Sequence, residues 1–236
     1  MPIPYLRRLT GRERSQAANR QLAHFLAFIA GATNAGGYLA VRQYTSHMTG
    51  ILSSMAYSVV LGDLKVVAAG LGALLAFLAG AASTAVLVNW GRRRELESEY
   101  ALPLLVEAGL LVCFGFLGSR FEQHHLLLVS STAALLCFTM GLQNAIITKI
   151  SRAEIRTTHL TGMVTDIGIE LGKALYWNRR TQLESVRADR EKLWLLTSLV
   201  GLFLSEVWWG QWGSSMWVLW LRCRWRLCWY CWRWFR

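Results

Sequence analysis

The stretch VVAAGLGALLAFLAGAASTAVLVNWG, residues 66–91, contains no acidic or basic side chain. A helix needs about 20 predominantly apolar residues to cross the hydrocarbon core of a bilayer. Periodicity alone does not separate a buried soluble helix from a spanning one, whereas length does. The stretch therefore predicts a transmembrane helix.

Three further stretches resemble it: residues 21–41, residues 101–119, where Glu107 is the single acid, and residues 123–148. The whole chain of 236 residues is 54% hydrophobic and 17% charged, against about 45–50% and 25% in an ordinary soluble domain. We predict an all-α polytopic transmembrane bundle of six to seven helices. The predicted spans are 22–41, 48–62, 64–90, 101–119, 124–148, 159–176 and 193–210.

The net charge of +11 is segregated beside the predicted spans rather than spread over a surface. The clusters before the first span and after the sixth comprise Arg7, Arg8, Arg12, Arg14 and Arg20, and Arg179, Arg180, Arg187, Arg190 and Lys192. Basic residues in such places normally face the cytoplasm and the anionic leaflet. We therefore expect a lipid bilayer as the partner, no nucleic acid, and a cytoplasmic N-terminus.

The composition changes in the last part of the chain, where nine of the twelve Trp residues lie between positions 208 and 236. We predict a single transmembrane domain over residues 1–210, followed by an anomalous Trp/Arg/Cys-rich tail at 211–236. One interpretation of the tail is an aromatic and basic membrane anchor. The other is that this stretch is not the native continuation.

An internal repeat relates the two halves, at about 22–90 and 124–210. The pattern F-x-x-G-x-x-N-A at 28–35 recurs at 138–145, and SHMTG at 46–50 recurs as THLTG at 158–162. Duplicated membrane halves usually place their site at the interface between the repeats. If all seven segments cross, the repeats run in the same direction, which we expect. If the two short segments re-enter instead, the repeats are inverted and nearly all basic loops fall on one side.

These motifs resemble the YoaK family of bacterial multi-spanning membrane proteins, defined by a domain of unknown function. The resemblance covers about residues 15–205 and implies a multi-pass protein of the inner (plasma) membrane. It carries over no substrate and no reaction.

The His-x-Thr-Gly pairs are the strongest candidates for a binding site. Ser and Thr are good helix N-caps, and a helix that starts inside the membrane directs free N–H groups and its positive dipole end at the centre. We expect ligand contacts from Asn34, His47, Thr49, Gly50, Asn144, His159, Thr161 and Gly162. The alternative is that both segments are ordinary capped helices whose histidines are hydrated and bind no ligand.

Polar groups elsewhere in the spans have both structural and functional interpretations. Asn34, Asn144 and Gln143 are expected to bond across helices and hold the halves in register. Asp166 and Glu170 share one helix face, and carboxylates at membrane depth often mark ion or proton pathways. Asp166 is our expected coupling acid, Glu170 is expected to pair with nearby Lys173, and Glu107 is a further candidate.

Three functional hypotheses follow. The first is a secondary permease for a small solute or ion. The second is a non-transporting membrane scaffold or partner-binding subunit, and the third, with least support, is a membrane enzyme acting on lipids. The chain lacks GxxxxGK[ST], HExxH and GxSxG motifs and a clustered metal-ligand set, so we expect no enzyme activity, no metal and no cofactor. A homo-oligomer is possible on this sequence.

Overall fold

The computed structural model describes residues 9–11, 15–118, 125–151, 157–176 and 187–205. The described residues form seven helices of 14 residues or more, which confirms the predicted all-helical bundle. They are α1 Gln16–Val41, α2 Met48–Leu61, α3 Leu64–Arg93, α4 Ala101–Gly118, α5 His125–Ile150 and α6 Leu160–Leu175, with α7 at 190–205. The tail at 211–236 and the arginines before residue 15 lie outside the described residues.

Local signals explain where several helices begin and end. Ser15 caps α1 by accepting a hydrogen bond from the Ala18 N–H at 3.2 Å. Asp63 caps α3 in the same way, accepting from Lys65 and Val66. Between them, α2 ends at Gly62, whose φ of 74° is a backbone conformation that favours glycine.

Two helices are long and apolar enough to cross a membrane: α3, with a mean hydropathy of 2.2, and residues 129–150 of α5. They pack together more extensively than any other pair in the described residues. Their closest approach is reciprocal, because Gly80 lies against the Phe138 carbonyl and Gly141 lies against the Phe77 carbonyl. No side chain larger than hydrogen fits at either glycine without moving a backbone.

The helices α1 and α5, which carry the repeated motif, run antiparallel. Gln143 donates a hydrogen bond to the Leu26 carbonyl at 3.1 Å, while Leu136 lies against Gly37. Residue numbers along α1 therefore increase in the direction in which those along α5 decrease. The expectation that the repeats run in the same direction is wrong, since the halves are inverted.

The directions of α3 and α7 follow from their contacts with this pair of helices. We call the end of the bundle where α1 begins the proximal end and the other the distal end. Thr84 of α3 bonds the Leu142 carbonyl, and Ala73 shares a cluster with Cys137, so α3 runs with α5 toward the proximal end. The helix α7 runs with α1, because Arg20 pairs with Glu191 at 3.0 Å and His24 bonds Ser198 at 2.7 Å.

The two short helices do not run the length of the bundle. Met55 of α2 lies against Gly70, while Ile51 shares a cluster with Ala73. Since α2 is thereby antiparallel to α3, it leaves toward the distal end. By the same reasoning α6 leaves toward the proximal end, because Glu170 bonds the Asp189 N–H and Asp166 pairs with Lys192.

Both short helices start about halfway along the bundle, at the level of Phe77. Met48 and Phe77 pack against one buried cluster, and Leu160 and Phe77 pack against the neighbouring one. At about 1.5 Å per residue, Phe77 lies about 20 Å along α3 from its first residue. The prediction of seven full crossings is therefore wrong for α2 and α6, which are half-helices in an inverted repeat.

Candidate functional site

Each half-helix begins with a histidine held in the same way. His47 and His159 are the N-cap residues, with φ/ψ of −97°/70° and −87°/61°. Each ring folds back over the first turn and lies where a Cβ at Gly50 or Gly162 would be. The glycine three residues after each histidine therefore makes room for the imidazole, which explains why the pair recurs in the repeat.

The expected Ser or Thr caps are absent from these two starts. Neither His47 nor His159 accepts a side-chain capping bond from its helix. The first backbone N–H groups of α2 and α6 consequently have no side-chain acceptor at the cap position. An uncapped helix start, with its positive dipole end halfway along the bundle, attracts an anionic group.

Each half-helix is also tied to the long helix before it. Asn34 donates to the Ser46 hydroxyl at 2.6 Å, and Asn144 accepts from the Thr158 hydroxyl at 2.5 Å. Both bonds end on the residue immediately before the histidine. The asparagines thus fix the depth at which each half-helix begins, and they bond within their own half rather than between halves.

Gln143 makes the contact between halves that the sequence also suggested. Its side-chain N–H₂ group donates to the Leu26 carbonyl at 3.1 Å and to Glu107 at 2.8 Å. The side chain of Gln143 is fully buried, and it joins α5 to α1 and α4. The register role expected for this amide is observed.

A cavity of about 530 Å³ opens beside the first half-helix, and we call it the distal cavity. It lies between the end of α1, the start of α3 and the first half of α2. The only side chain with a full charge among its lining residues is Arg42, and His47, Gly50 and Ser54 also line it. Tyr38 and Tyr44 stack at its edge with ring centroids 4.9 Å apart.

A second cavity of about 390 Å³, the proximal cavity, opens beside the other half-helix at the opposite end. It is lined by the starts of α1 and α7, the end of α5 and Asp166 of α6. Asp166 is half-exposed and pairs with Lys192 at 3.4 Å. Because Asp166 occupies the repeat position of Ser54, the two cavities correspond under the repeat.

Residues 22–230 match the family described as a protein of unknown function, DUF1275. The chain belongs to this family. It is the YoaK-like family that the motifs resembled, and the matched range includes residues 211–230 of the tail. No curated protein and no solved structure matches the chain.

The predicted site residues of this DUF1275 chain are therefore distributed over two places. His47 and Gly50 line the distal cavity, and Asp166 lines the proximal one. Neither cavity is lined by Thr49, His159, Thr161 or Gly162. The two threonines and both N-cap histidines are exposed. Asn34 is buried and Asn144 is half-buried, and both act through the loop before each half-helix.

The repeat extends one residue further than the sequence comparison recognised. Thr45 and Thr157 precede the paired motifs at the same offset, and their exposed fractions are 1% and 0%. Neither hydroxyl has a hydrogen-bond partner among the described residues. The signal was present as a fourth identical position beside the shared His, Thr and Gly, but it preceded the motif that was compared.

Glu170 has the structural role that was expected for it. Its carboxylate pairs with Lys173 at 2.9 Å and accepts a hydrogen bond from the Asp189 N–H at 2.9 Å. Asp189 in turn caps α7 by accepting from the Lys192 N–H. The acid thus joins the end of α6 to the start of α7.

Proposed function

We propose that this chain is an integral membrane permease for a small anionic solute. The observation that carries the proposal is the pair of repeat-related cavities, one at each end of the bundle, each beside a half-helix that starts halfway along the bundle. Discontinuous helices of inverted repeats place substrate sites in many secondary transporters.

The apolar surface of the bundle supports residence in a bilayer. Only 22% of the apolar window of α3 is buried inside the bundle. Leu71, Leu75 and Leu78 of this helix are each about half exposed. A core helix of a soluble protein would bury such residues, whereas a lipid-facing helix exposes them.

The distribution of basic residues supports a cytoplasmic proximal end. The described basic residues at that end are Arg20, Arg92, Arg93, Arg94, Lys149, Lys173, Arg187, Arg190 and Lys192, against Arg42 and Lys65 at the distal end. This asymmetry follows the positive-inside rule. Asp63 lies about 25 Å along α3 from Gly80, so the turn between α2 and α3 lies outside the hydrocarbon core, where a charged side chain would be costly.

The electrostatics of the distal cavity favour an anion. Arg42 supplies a full positive charge, and His47 and the uncapped start of α2 supply donors on the same side. No acidic side chain lines this cavity. The ligand chemistry that fits is a small carboxylate or inorganic anion.

An apolar barrier separates the two cavities. It consists of Ala30, Met140 and Phe203, with Phe77 and Leu160 packed against them. These residues lie at the level where both half-helices start, between the deepest lining residues of the two cavities. An apolar barrier between two open cavities is the arrangement expected of an occluded pathway, which supports the proposal.

Transport by the purified protein in liposomes tests the proposal. The assay measures uptake of acetate, nitrate and phosphate against protein-free liposomes. Arg42→Gln should reduce uptake at least several-fold, whereas Arg93→Gln removes the same charge from an exposed site away from both cavities and should leave uptake unchanged. Asp166→Asn tests the proximal cavity in the same assay.

Two results would overturn the proposal. One is uptake of every anion at the protein-free rate. The other is an equal effect of Arg42→Gln and Arg93→Gln, which would show that general surface charge acts and the distal cavity does not. The absence of uptake together with a stable co-purifying membrane partner would favour the scaffold hypothesis.

A further inference from the structure

Three acidic side chains of the described residues are buried, and Glu107 differs from the other two. Glu99 pairs with Arg92 at 3.0 Å, and Glu170 pairs with Lys173. Glu107, 2% exposed, has no cationic partner among the described residues. The one hydrogen bond that it makes within the described part of the chain comes from the Gln143 amide at 2.8 Å.

The surroundings of Glu107 supply no countercharge. The parts of α1, α3 and α5 that surround it, within 21–41, 66–91 and 126–148, contain no Asp, Glu, Lys or Arg. The titratable His24 of α1 has both ring nitrogens engaged, one by the Arg20 carbonyl and the other by Ser198. An ionised carboxylate at this position would therefore be a buried charge without a partner, which is costly in a bilayer.

Two oxygens of the Glu107 and Gln143 side chains lack partners among the described residues. They are Oε2 of Glu107 and Oε1 of Gln143, both shielded from solvent and without a hydrogen bond among the described residues. The Gln143 N–H₂ group is already shared between Glu107 and the Leu26 carbonyl. The cluster thus has unused acceptors and no remaining donor, and a single added proton supplies the missing donor.

We propose that Glu107 is a proton-binding site in the interior of the bundle and that anion uptake is coupled to it. The proton resides on Oε2 and neutralises the carboxylate. Because Gln143 joins α4 to both α1 and α5, loss of the proton changes the contact at which the two repeat halves meet. The coupling part of this inference rests on the proposed permease function, whereas proton binding does not.

Infrared spectroscopy of the purified protein during a pH titration tests proton binding directly. A protonated carboxyl group has a carbonyl stretch that disappears when it ionises and shifts in deuterated water. Exposed carboxyl groups are ionised at neutral pH and contribute no such band there. We expect a band of this kind at neutral pH in the wild type and in Glu95→Gln, which removes an exposed acid, and we expect its loss in Glu107→Gln. Size-exclusion chromatography checks that Glu107→Gln, which keeps the shape of the neutral acid, remains folded.

Uptake in liposomes with and without a pH gradient tests the coupling. The wild type should take up the anion faster down an inward proton gradient, and Glu107→Gln should lose that dependence. A carboxyl band at neutral pH that persists in Glu107→Gln overturns the proton site. Gradient-independent uptake by the wild type overturns the coupling, and a Glu107 band without uptake by any variant overturns the permease while leaving the proton site intact.

Discussion

The close approach of α3 and α5 gives a sharp test of the packing at the centre of the bundle. In Gly141→Ala the new Cβ would meet the Phe77 backbone, at 2.8 Å from its carbonyl carbon and 3.0 Å from its Cα. Because the obstacle is backbone, no rotamer change relieves it, and the helices must separate. Gly72 of α3 has open space around it, so Gly72→Ala is the matched control.

The expected cost follows from three contributions. Overpacking of a tight contact costs about 1–3 kcal/mol. Separation also weakens the buried Thr84 hydrogen bond to the Leu142 carbonyl, whose length is 2.9 Å, and such a bond contributes about 0.5–1.5 kcal/mol. Replacing glycine by alanine within a helix stabilises the folded protein by about 0.5–1 kcal/mol, which offsets part of these costs. The net expectation is a loss of about 0.5–4 kcal/mol for Gly141→Ala and a small gain for Gly72→Ala.

The assay is equilibrium unfolding in mixed micelles with increasing sodium dodecyl sulfate, followed by circular dichroism. Gly80→Ala should behave like Gly141→Ala, and the double variant should cost less than the two single changes together, because one separation accommodates both methyl groups. A wild-type unfolding midpoint for Gly141→Ala, or equal losses in Gly141→Ala and Gly72→Ala, would refute the close contact.

Two further changes test the half-helix starts. Asn144→Ala should destabilise the protein by about 0.5–1.5 kcal/mol. A double-mutant cycle with Thr158→Val in the same unfolding assay should show coupling between the two positions, whereas additive effects would contradict the hydrogen bond. Gly50→Ala should displace the His47 ring, so that uptake in liposomes falls several-fold. Stability should change little, because the higher helix propensity of alanine offsets the cost of displacing the ring. Unchanged uptake would show that the ring position has no role in transport.

Much of the fold could be predicted from length and hydropathy. The bounds of α2, α3 and α4 lie within a few residues of the predicted spans, because apolar stretches end where charged or turn-forming residues begin. The direction of the repeats could not be predicted in this way. Hydropathy shows that a segment is apolar but not that α2 starts halfway along its neighbour, and that depth depends on the Asn34–Ser46 bond.

Of the candidate site, the similarity of the two half-helix starts could be predicted from the duplicated motif. The duplicated motif identified His47 and His159 correctly as matching half-helix starts, since both share one backbone geometry. It did not show that the two half-helices border cavities at opposite ends of the bundle, because that depends on the antiparallel packing of α1 and α5. The pairing of Asp166 with Lys192 is likewise a long-range contact that no local pattern indicates.

Cysteine accessibility in intact cells is the most direct test of the inverted repeat with half-helices. After replacement of the native cysteines, single cysteines are placed at Gln43, in the loop before α2, and at Lys149, at the end of α5; both positions are exposed. An impermeant thiol reagent added outside the cell should label position 43 and leave position 149 unlabelled until the membrane is permeabilised. Labelling of both positions from the same side would contradict the inverted arrangement, because two repeats that run in the same direction place both loops on one face.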